Sequence, residues 1–169
     1  MDLKDIVTEE FQQEIQDSFA YATGFGVVFI DKEGNHIGEG SNFTDFCKQI
    51  NCTEEGAKCC ARSNCQAVNI ALKTQKPSIY ICHAGLVNIE IPLICEGCYA
   101  GAVTAGQVFC SEEGYYPQDF HSNVSEWLSD EKLSEYYKKI KTLTPQQIEA
   151  VATALANICL LYTSPSPRD

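Results

Sequence analysis

The fold of this chain is decided by residues 79–109, which read IYICHAGLVNIEIPLICEGCYAGAVTAGQVF. Two apolar runs rich in β-branched and small residues flank Glu96-Gly97, and this pattern predicts an antiparallel hairpin with its tip at that pair. A further strand is predicted over 79–81, directly before the polar, reactive pair Cys82-His83. Small residues recur through the last strand, so we expect either a packed helix or a ligand close to its surface.

The residues before this stretch predict a helix, two strands and a helical middle segment. Apolar spacing indicates an amphipathic helix over 3–22, which Gly24 would end. A buried strand over 25–30, a turn over 31–35 and a return strand over 36–38 follow. Residues 41–75 then show helical spacing, with Thr44 or Asn42 and later Thr53 as candidate N-caps.

The residues after residue 109 predict a polar loop and further helices. The last helix begins at Thr144-Pro145, and its apolar spacing still continues at Ile158. This order of elements predicts an α+β fold of the PAS-like type. The expected architecture is a five-stranded antiparallel sheet with a helical middle segment covering one face and helices at both ends.

Length and charge limit the classes of function. A chain of 169 residues is expected to form one domain. Its net charge of -11 argues against nucleic acid or an anionic membrane surface as a direct partner, because phosphate binding needs clustered Lys and Arg. The chain shows no membrane-spanning apolar run, and its N-terminus lacks the features of a signal peptide. A cytoplasmic location is therefore expected.

The last eleven residues, 159–169, read CLLYTSPSPRD and match one translated frame of a transposase-type sequencing adapter. We expect them not to be native, so that the native domain is residues 1–158 and whatever follows is missing. On this interpretation nine of the ten cysteines are native. A contig that continues from residue 158 into the same eleven codons of genomic DNA would contradict it.

Several short motifs together resemble a known family. They are Ala22–Asp31, Ser41–Cys47, Glu55-Gly56 with Cys60, Cys82–Leu86, Pro92-Leu93 and Gly106–Val108. Over about residues 3–158 the chain resembles the PocR sensory domain, a PAS-like ligand-binding domain of bacterial and archaeal regulators. The resemblance implies a non-enzymatic input domain for signal transduction or transcription control that senses a small molecule, with short diols and similar hydrocarbon derivatives as candidates. It also implies a C-terminal output domain, which would be a histidine kinase, an AraC-type DNA-binding domain or a cyclic-dinucleotide enzyme.

In a PAS-like fold, the ligand is expected to bind between the sheet and residues 41–75. A diol needs hydrogen-bonding partners in an otherwise apolar pocket. The residues expected to bind the ligand are Asn42, Phe46, Cys47, Cys60, Tyr80, Cys82, His83 and Gln107.

The cysteines leave other interpretations open. Ten cysteines are many for a cytoplasmic chain, and they would be small buried hydrophobic residues, redox sensors or metal ligands. The alternative to an organic ligand is a zinc or iron–sulfur site, or a redox sensor, formed by Cys47, Cys60, Cys65 and Cys82. A small enzyme using Cys82 or His83 is a further alternative, although neighbours on a strand point to opposite faces unless the strand ends there.

Three remaining features have structural interpretations. Cys95 and Cys98 form a C-x-x-C on a hairpin tip, where two thiols facing each other across the turn are favoured over redox or zinc chemistry. His36 and His121 are expected to be solvated. The terminal helices are expected either to cover the core or to form a homodimer that carries a signal.

Overall fold

A computed structural model of the chain describes residues 1–163. The helices are α1 (Glu9–Thr23), α2 (Asp45–Asn51), α3 (Glu54–Thr74), α4 (Val124–Leu128), α5 (Glu131–Lys138) and α6 (Pro145–Thr163), and a 3-10 turn at Leu3–Asp5 precedes α1. The strands are β1 (Gly26–Ile30), β2 (Ser78–Ile81), β3 (Val87–Cys95), β4 (Cys98–Cys110) and β5 (Thr142–Leu143). Residues 164–169, part of the stretch interpreted as adapter-derived, lie outside the described residues.

The helix boundaries follow the predicted capping residues. Thr44 and Thr53 cap α2 and α3 by accepting the backbone N–H of Cys47 and Gly56 respectively. Gly24 ends α1 in the left-handed conformation, with φ of 76°. The predicted helix over 3–22 is interrupted, because Thr8 caps a new helix and separates it from the 3-10 turn.

The sheet confirms the PAS-like α+β class. Its strand order is β1-β4-β3-β2, and these four strands pair antiparallel. The β3–β4 hairpin turns at Glu96 and Gly97, whose φ values of 51° and 77° are those of a type I′ turn. Cys95 and Cys98 are direct register partners across this turn.

One predicted strand is replaced by another. The return strand expected over 36–38 is reduced to a single bridge between Ile30 and His36, and a second bridge joins Val27 to Ser41. Gly38, with φ of 69°, lies between these bridges and turns the chain away from a continuous ladder. The fifth strand is instead β5, which pairs in parallel with Phe109 and Cys110 at the end of β4.

The two faces of the sheet carry different layers. On one face, α1 and α6 pack in a cluster that includes Phe19, Val27, Ile89, Ile148 and Leu155. On the other face, α3 packs through Val68 against Val28, Ile30 and Ala102. The helical middle therefore covers one face, as predicted. No helix within residues 1–163 is both long and apolar enough to cross a bilayer.

Candidate functional site

A small cavity of about 40 Å³ lies between the sheet and the helices α2 and α3. The sheet contributes Gly26, Val28 and Gly106, where the small residues leave space for side chains above them. A Cβ atom added at Gly26 would lie only 2.6 Å from the Gln107 side chain, which is closer than side-chain atoms normally approach. The absence of a side chain at Gly26 therefore leaves the space that the Gln107 amide occupies. The polar side chains that sequence reasoning missed here are His36, Asn51, Ser63, Asn64, Asn88 and Thr104.

Five of the eight predicted ligand-binding residues line this cavity. They are Cys47, Cys60, Cys82, His83 and Gln107. Gln107 has a positive φ of 71°, and its Oε1 accepts a hydrogen bond of 2.7 Å from the backbone N–H of Thr44. This bond ties the end of β4 to the start of α2, so Gln107 joins the two layers that enclose the cavity.

The other three predicted residues lie near the cavity without lining it. Asn42 has a positive φ of 55°, and its Nδ2 donates to the carbonyl of Phe25. This hydrogen bond stabilises the loop that contains Asn42. Phe46 is fully buried and packs against Tyr137, with ring centroids 5.1 Å apart. Tyr80 is held by buried polar partners behind the cavity. Because the sequence alone does not show which side chains have partners already, it could not separate these three from the lining residues.

Cys82 and His83 both reach the cavity because β2 ends at Ile81. The next residues form a turn in which the Gly85 N–H donates to the Cys82 carbonyl over 2.9 Å. Gly85 has φ of 83°, a conformation that favours glycine. The alternation that separates strand neighbours no longer applies, so this motif delivers a thiol and an imidazole to one space.

The imidazole of His83 is buried and fully partnered. Its Nδ1 lies 3.0 Å from Asn123 Oδ1, and its Nε2 lies 3.3 Å from Cys60 Sγ. The indole N–H of Trp127 donates to Asn123 Oδ1 over 2.8 Å, which requires the amide oxygen, rather than the NH₂, to face this pair. The same indole N–H also lies 3.0 Å from His83 Nδ1. In the tautomer that donates from Nδ1 to Asn123 Oδ1, Nε2 is an acceptor that faces the Cys60 thiol.

The backbone of this turn is fixed from two sides. The N–H of His83 donates to Ser63 Oγ over 3.2 Å, and the N–H of Asn123 donates to the His83 carbonyl over 2.9 Å. The Ser63 hydroxyl in turn donates to the carboxylate of Asp119. Burial lowers the pKa of His83, which favours the neutral imidazole. Asn123, Trp127 and Asp119 carry no sequence signal for this role, because only tertiary packing brings them to residue 83.

A buried acid lies behind the cavity at Glu90. Its carboxyl group accepts hydrogen bonds from the Tyr80 hydroxyl over 3.1 Å and from the Thr104 hydroxyl over 2.8 Å. Burial raises the pKa of Glu90 well above its ordinary value, although both hydrogen bonds oppose that shift. Its one sequence signal is a lone acid between Ile89 and Ile91 in a predicted strand.

The four cysteines of the metal alternative are not all brought together. Cys47, Cys60 and Cys82 line the cavity, whereas the thiol of Cys65 donates to the Glu33 carbonyl over 3.0 Å in the turn after β1. Because Cys60 and Cys65 are five residues apart, they lie about 140° from each other around α3 and so on different sides of the helix. Within residues 1–163, no three His, Cys, Asp or Glu side chains are arranged to hold a metal ion.

The three cavity thiols are held in the protonated form. Burial raises the pKa of Cys47 to about 12 and raises the pKa of Cys82. Burial, together with the neighbouring thiols of Cys82 and Cys47, raises the pKa of Cys60 well above its ordinary value. None of the three therefore carries much thiolate at neutral pH.

An open groove of about 610 Å³ adjoins the cavity and shares His36, Phe43 and Asn51 with it. His36 is half-buried and meets Phe43 edge to face, with ring centroids 5.6 Å apart. The expectation that His36 is solvated is therefore wrong, because the single bridge to Ile30 turns the residue towards the cavity; His121 is exposed as expected. These three side chains therefore lie at the boundary between the cavity and the groove.

Comparison with known proteins identifies the family of this chain. The family described as the sensory domain found in PocR matches residues 5–164. The chain is also 31% identical over 151 residues to the regulatory protein PocR of Salmonella typhimurium, an alignment that covers 88% of this chain and 49% of that protein. The chain thus spans about half the length of this curated relative, and no solved structure matches it. The chain belongs to the PocR sensory-domain family.

Proposed function

We propose that this domain is the non-enzymatic input of a regulator and that its cavity binds a small, neutral, hydroxylated molecule such as a short diol. The observation that carries the proposal is the cavity between the sheet and the helices α2 and α3, which amide, hydroxyl and imidazole groups line. Its small volume restricts the ligand to a few non-hydrogen atoms.

The lining favours a neutral ligand. Among the described residues that line the cavity, none is Asp, Glu, Lys or Arg. Burial lowers the pKa of both His36 and His83, which disfavours imidazolium at neutral pH. Hydroxyl groups can both donate and accept, so they match a wall of mixed amides, such as Asn51 and Asn88, and hydroxyls, such as Thr104. Val28 and Ile50 supply apolar contact for a short hydrocarbon.

Signal transfer is proposed to run through the sheet to the helices on its other face. Gln16 of α1 is buried, accepts the N–H of Phe29 in β1, and donates to the Ser41 hydroxyl and the Glu39 carbonyl. A ligand that moves β1 or the 39–43 segment would therefore also move α1. In the cytoplasm, α6 would pass the change to a C-terminal output domain of one of the predicted types, and a homodimer through α1 and α6 would couple two copies.

Calorimetric titration with propane-1,2-diol tests this proposal, with Val28→Leu and Val27→Leu as a matched pair. Both substitutions add bulk to buried positions of β1, and each is expected to cost about 1–3 kcal/mol of stability. Only Val28 lines the cavity, whereas Val27 packs in the cluster on the other face. Val28→Leu should abolish binding, and Val27→Leu should leave the affinity close to that of the unsubstituted chain.

Two outcomes would contradict this function. Equal loss of diol binding in Val28→Leu and Val27→Leu would show that binding follows general stability and not the cavity. Propan-1-ol that binds as tightly as the diol would argue against recognition of two hydroxyls, because a polar group left unpaired in the cavity should weaken binding.

The metal or redox alternative keeps one specific observation in its favour, the three thiols of Cys47, Cys60 and Cys82 around a single cavity. Its test is elemental analysis and an absorbance spectrum of protein purified without oxygen. Stoichiometric zinc or iron that is lost in Cys47→Ala, Cys60→Ala and Cys82→Ala would favour this alternative over the organic ligand.

A further inference from the structure

We propose that Cys60 captures a small aldehyde in the cavity as a reversible hemithioacetal, with His83 as its base. This inference rests on the proposed function, since it takes the same cavity as the ligand site. It names a second ligand class, a small carbonyl compound held covalently, beside the neutral hydroxylated molecule held by hydrogen bonds.

The first support is the contact between a nucleophile and a base. Cys60 Sγ lies 3.3 Å from His83 Nε2, which is within reach for transfer of the thiol proton. In the tautomer that donates from Nδ1 to Asn123 Oδ1, Nε2 carries no proton, so the thiol donates to it. Both residues line the cavity, which places the sulfur beside a bound molecule.

The second support is the positioning of the imidazole. Asn123 Oδ1 accepts from His83 Nδ1 over 3.0 Å, and Trp127 packs edge to face on the ring with centroids 5.6 Å apart. His83 itself is only 1% exposed, so the ring cannot turn to water. The arrangement of a thiol, an imidazole and an orienting amide is the one by which proteins activate cysteine nucleophiles.

The proposed step balances without an oxidant or a reductant. The sulfur attacks the carbonyl carbon and forms the S–C bond, while the π electrons of the C=O bond move to oxygen. His83 Nε2 takes the thiol proton and returns it to that oxygen, which leaves a neutral S–CH(OH) group. The reverse steps release the aldehyde. The product carries a hydroxyl, so it suits the same polar walls as a diol.

The other cavity thiols lack this arrangement. The Cys47 backbone N–H donates to Thr44 at the start of α2, and Cys82 lies in the turn that also holds His83. Among the described residues, neither thiol has a hydrogen bond to an imidazole. Burial keeps Cys60 protonated in the resting state, so its reactivity depends on an electrophile that has entered beside the His83 base.

The test is carbon NMR of the chain with acetaldehyde labelled at C1, comparing the unsubstituted protein with Cys60→Ser and Cys82→Ser. A hemithioacetal resonance should appear in the unsubstituted chain and in Cys82→Ser. In Cys60→Ser, the intensity of this resonance should fall by the amount that corresponds to one bound aldehyde per chain. His83→Gln should slow exchange between free and bound aldehyde by about 10²-fold. The inference is overturned if Cys60→Ser keeps the full resonance or if the unsubstituted chain shows none.

A second measurement needs no variant. Acrolein, a small unsaturated aldehyde that alkylates thiols irreversibly, should modify Cys60 before Cys47 and Cys82 when peptides are mapped by mass spectrometry; the reverse order overturns the inference.

Calorimetry with propane-1,2-diol separates the two proposals. If diol binding persists while acetaldehyde forms no adduct, the inference alone fails, and if neither compound binds, the proposed function fails with it.

Discussion

The indole nitrogen of Trp127 lies 3.0 Å from Nδ1 of His83, so the one tryptophan of the chain is in direct contact with the imidazole of the cavity. A ligand that binds in the cavity beside His83 will change the polar surroundings of the indole. We expect titration with propane-1,2-diol to change the emission of Trp127, with a midpoint equal to the calorimetric one.

The control for this prediction is Val28→Leu, which keeps Trp127 but fills the cavity from the β1 side. Its emission should stay constant over the same range of diol concentration. Calorimetric binding in the unsubstituted chain without any change in fluorescence would contradict the contact between the ligand and the His83 side of the cavity.

Glu90→Gln should make the domain more stable at neutral pH. The unfolded carboxyl ionises near its ordinary pKa of 4.5, whereas burial raises the pKa of Glu90 in the folded chain. The folded state therefore loses stability relative to the unfolded state as pH rises above about 4.5, by at most about 1.4 kcal/mol per pH unit. Glutamine can accept from one of the two hydroxyls, those of Tyr80 and Thr104, and donate from its NH₂ group to the oxygen of the other, without this penalty.

Urea unfolding from pH 4 to pH 8 measures this difference, and exposed Glu135→Gln is the control. The free energy of unfolding of Glu90→Gln should increase relative to that of the unsubstituted chain as pH rises. The free energy of unfolding of Glu135→Gln should follow that of the unsubstituted chain at every pH. The lowered pKa of His83 acts in the opposite direction, since its stability contribution is lost as pH falls below about 6.5, but it is common to all three proteins. A constant difference between Glu90→Gln and the unsubstituted chain would mean that Glu90 is ionised in the folded state.

Ser63→Ala should destabilise the domain by about 1–3 kcal/mol, because it removes the hydroxyl that links a buried carboxylate to the backbone of the site. Ser63 accepts from the His83 N–H over 3.2 Å and donates to Asp119, and both partners would be left short of a hydrogen bond. Thermal unfolding measures the loss. The exposed Ser125→Ala in α4 is the control and should unfold like the unsubstituted chain, so equal stability of the two variants would contradict the prediction.

Cys47 should react far more slowly with iodoacetamide than exposed Cys52, which lies five residues further along the chain at the end of α2. Burial raises the pKa of Cys47 to about 12, so its thiolate is only about one part in 10⁴ at pH 8. Mass mapping of the alkylated peptides over time measures the two rates. Similar rates at the two positions would show that the α2–α3 layer opens freely to solvent.

The strands and helix caps followed from local chemistry. Glu96-Gly97 predicted the hairpin because the two positions must take positive φ, and Thr53 predicted the start of α3 because its hydroxyl satisfies a free N–H. The fifth strand could not be predicted in this way. Thr142–Leu143 has only two residues and pairs in parallel with a distant strand, so nothing in its own sequence marks it.

The candidate site was predicted in part. Cys47, Cys60, Cys82 and His83 were predicted to lie together because the helical middle and the end of the strand over 79–81 converge on the pocket of a PAS-like fold, and these residues line the cavity. Tyr80 and Phe46 look equally suitable in sequence. They do not line the cavity, and they contact partners that only the folded chain brings near, such as Glu90 for the Tyr80 hydroxyl and Tyr137 for the Phe46 ring.

The sequence by itself determined the fold class, the hairpin and the presence of thiols and an imidazole at one end of β2, because periodicity, turn geometry and capping act between residues close in the chain. The tertiary structure decided which of those groups meet. Cys60 is 23 residues from His83 in the sequence, and His83 is 40 residues from Asn123. Their contact depends on how α3, the turn after β2 and the start of α4 pack together. The direction in which each imidazole nitrogen faces is a consequence of that packing alone.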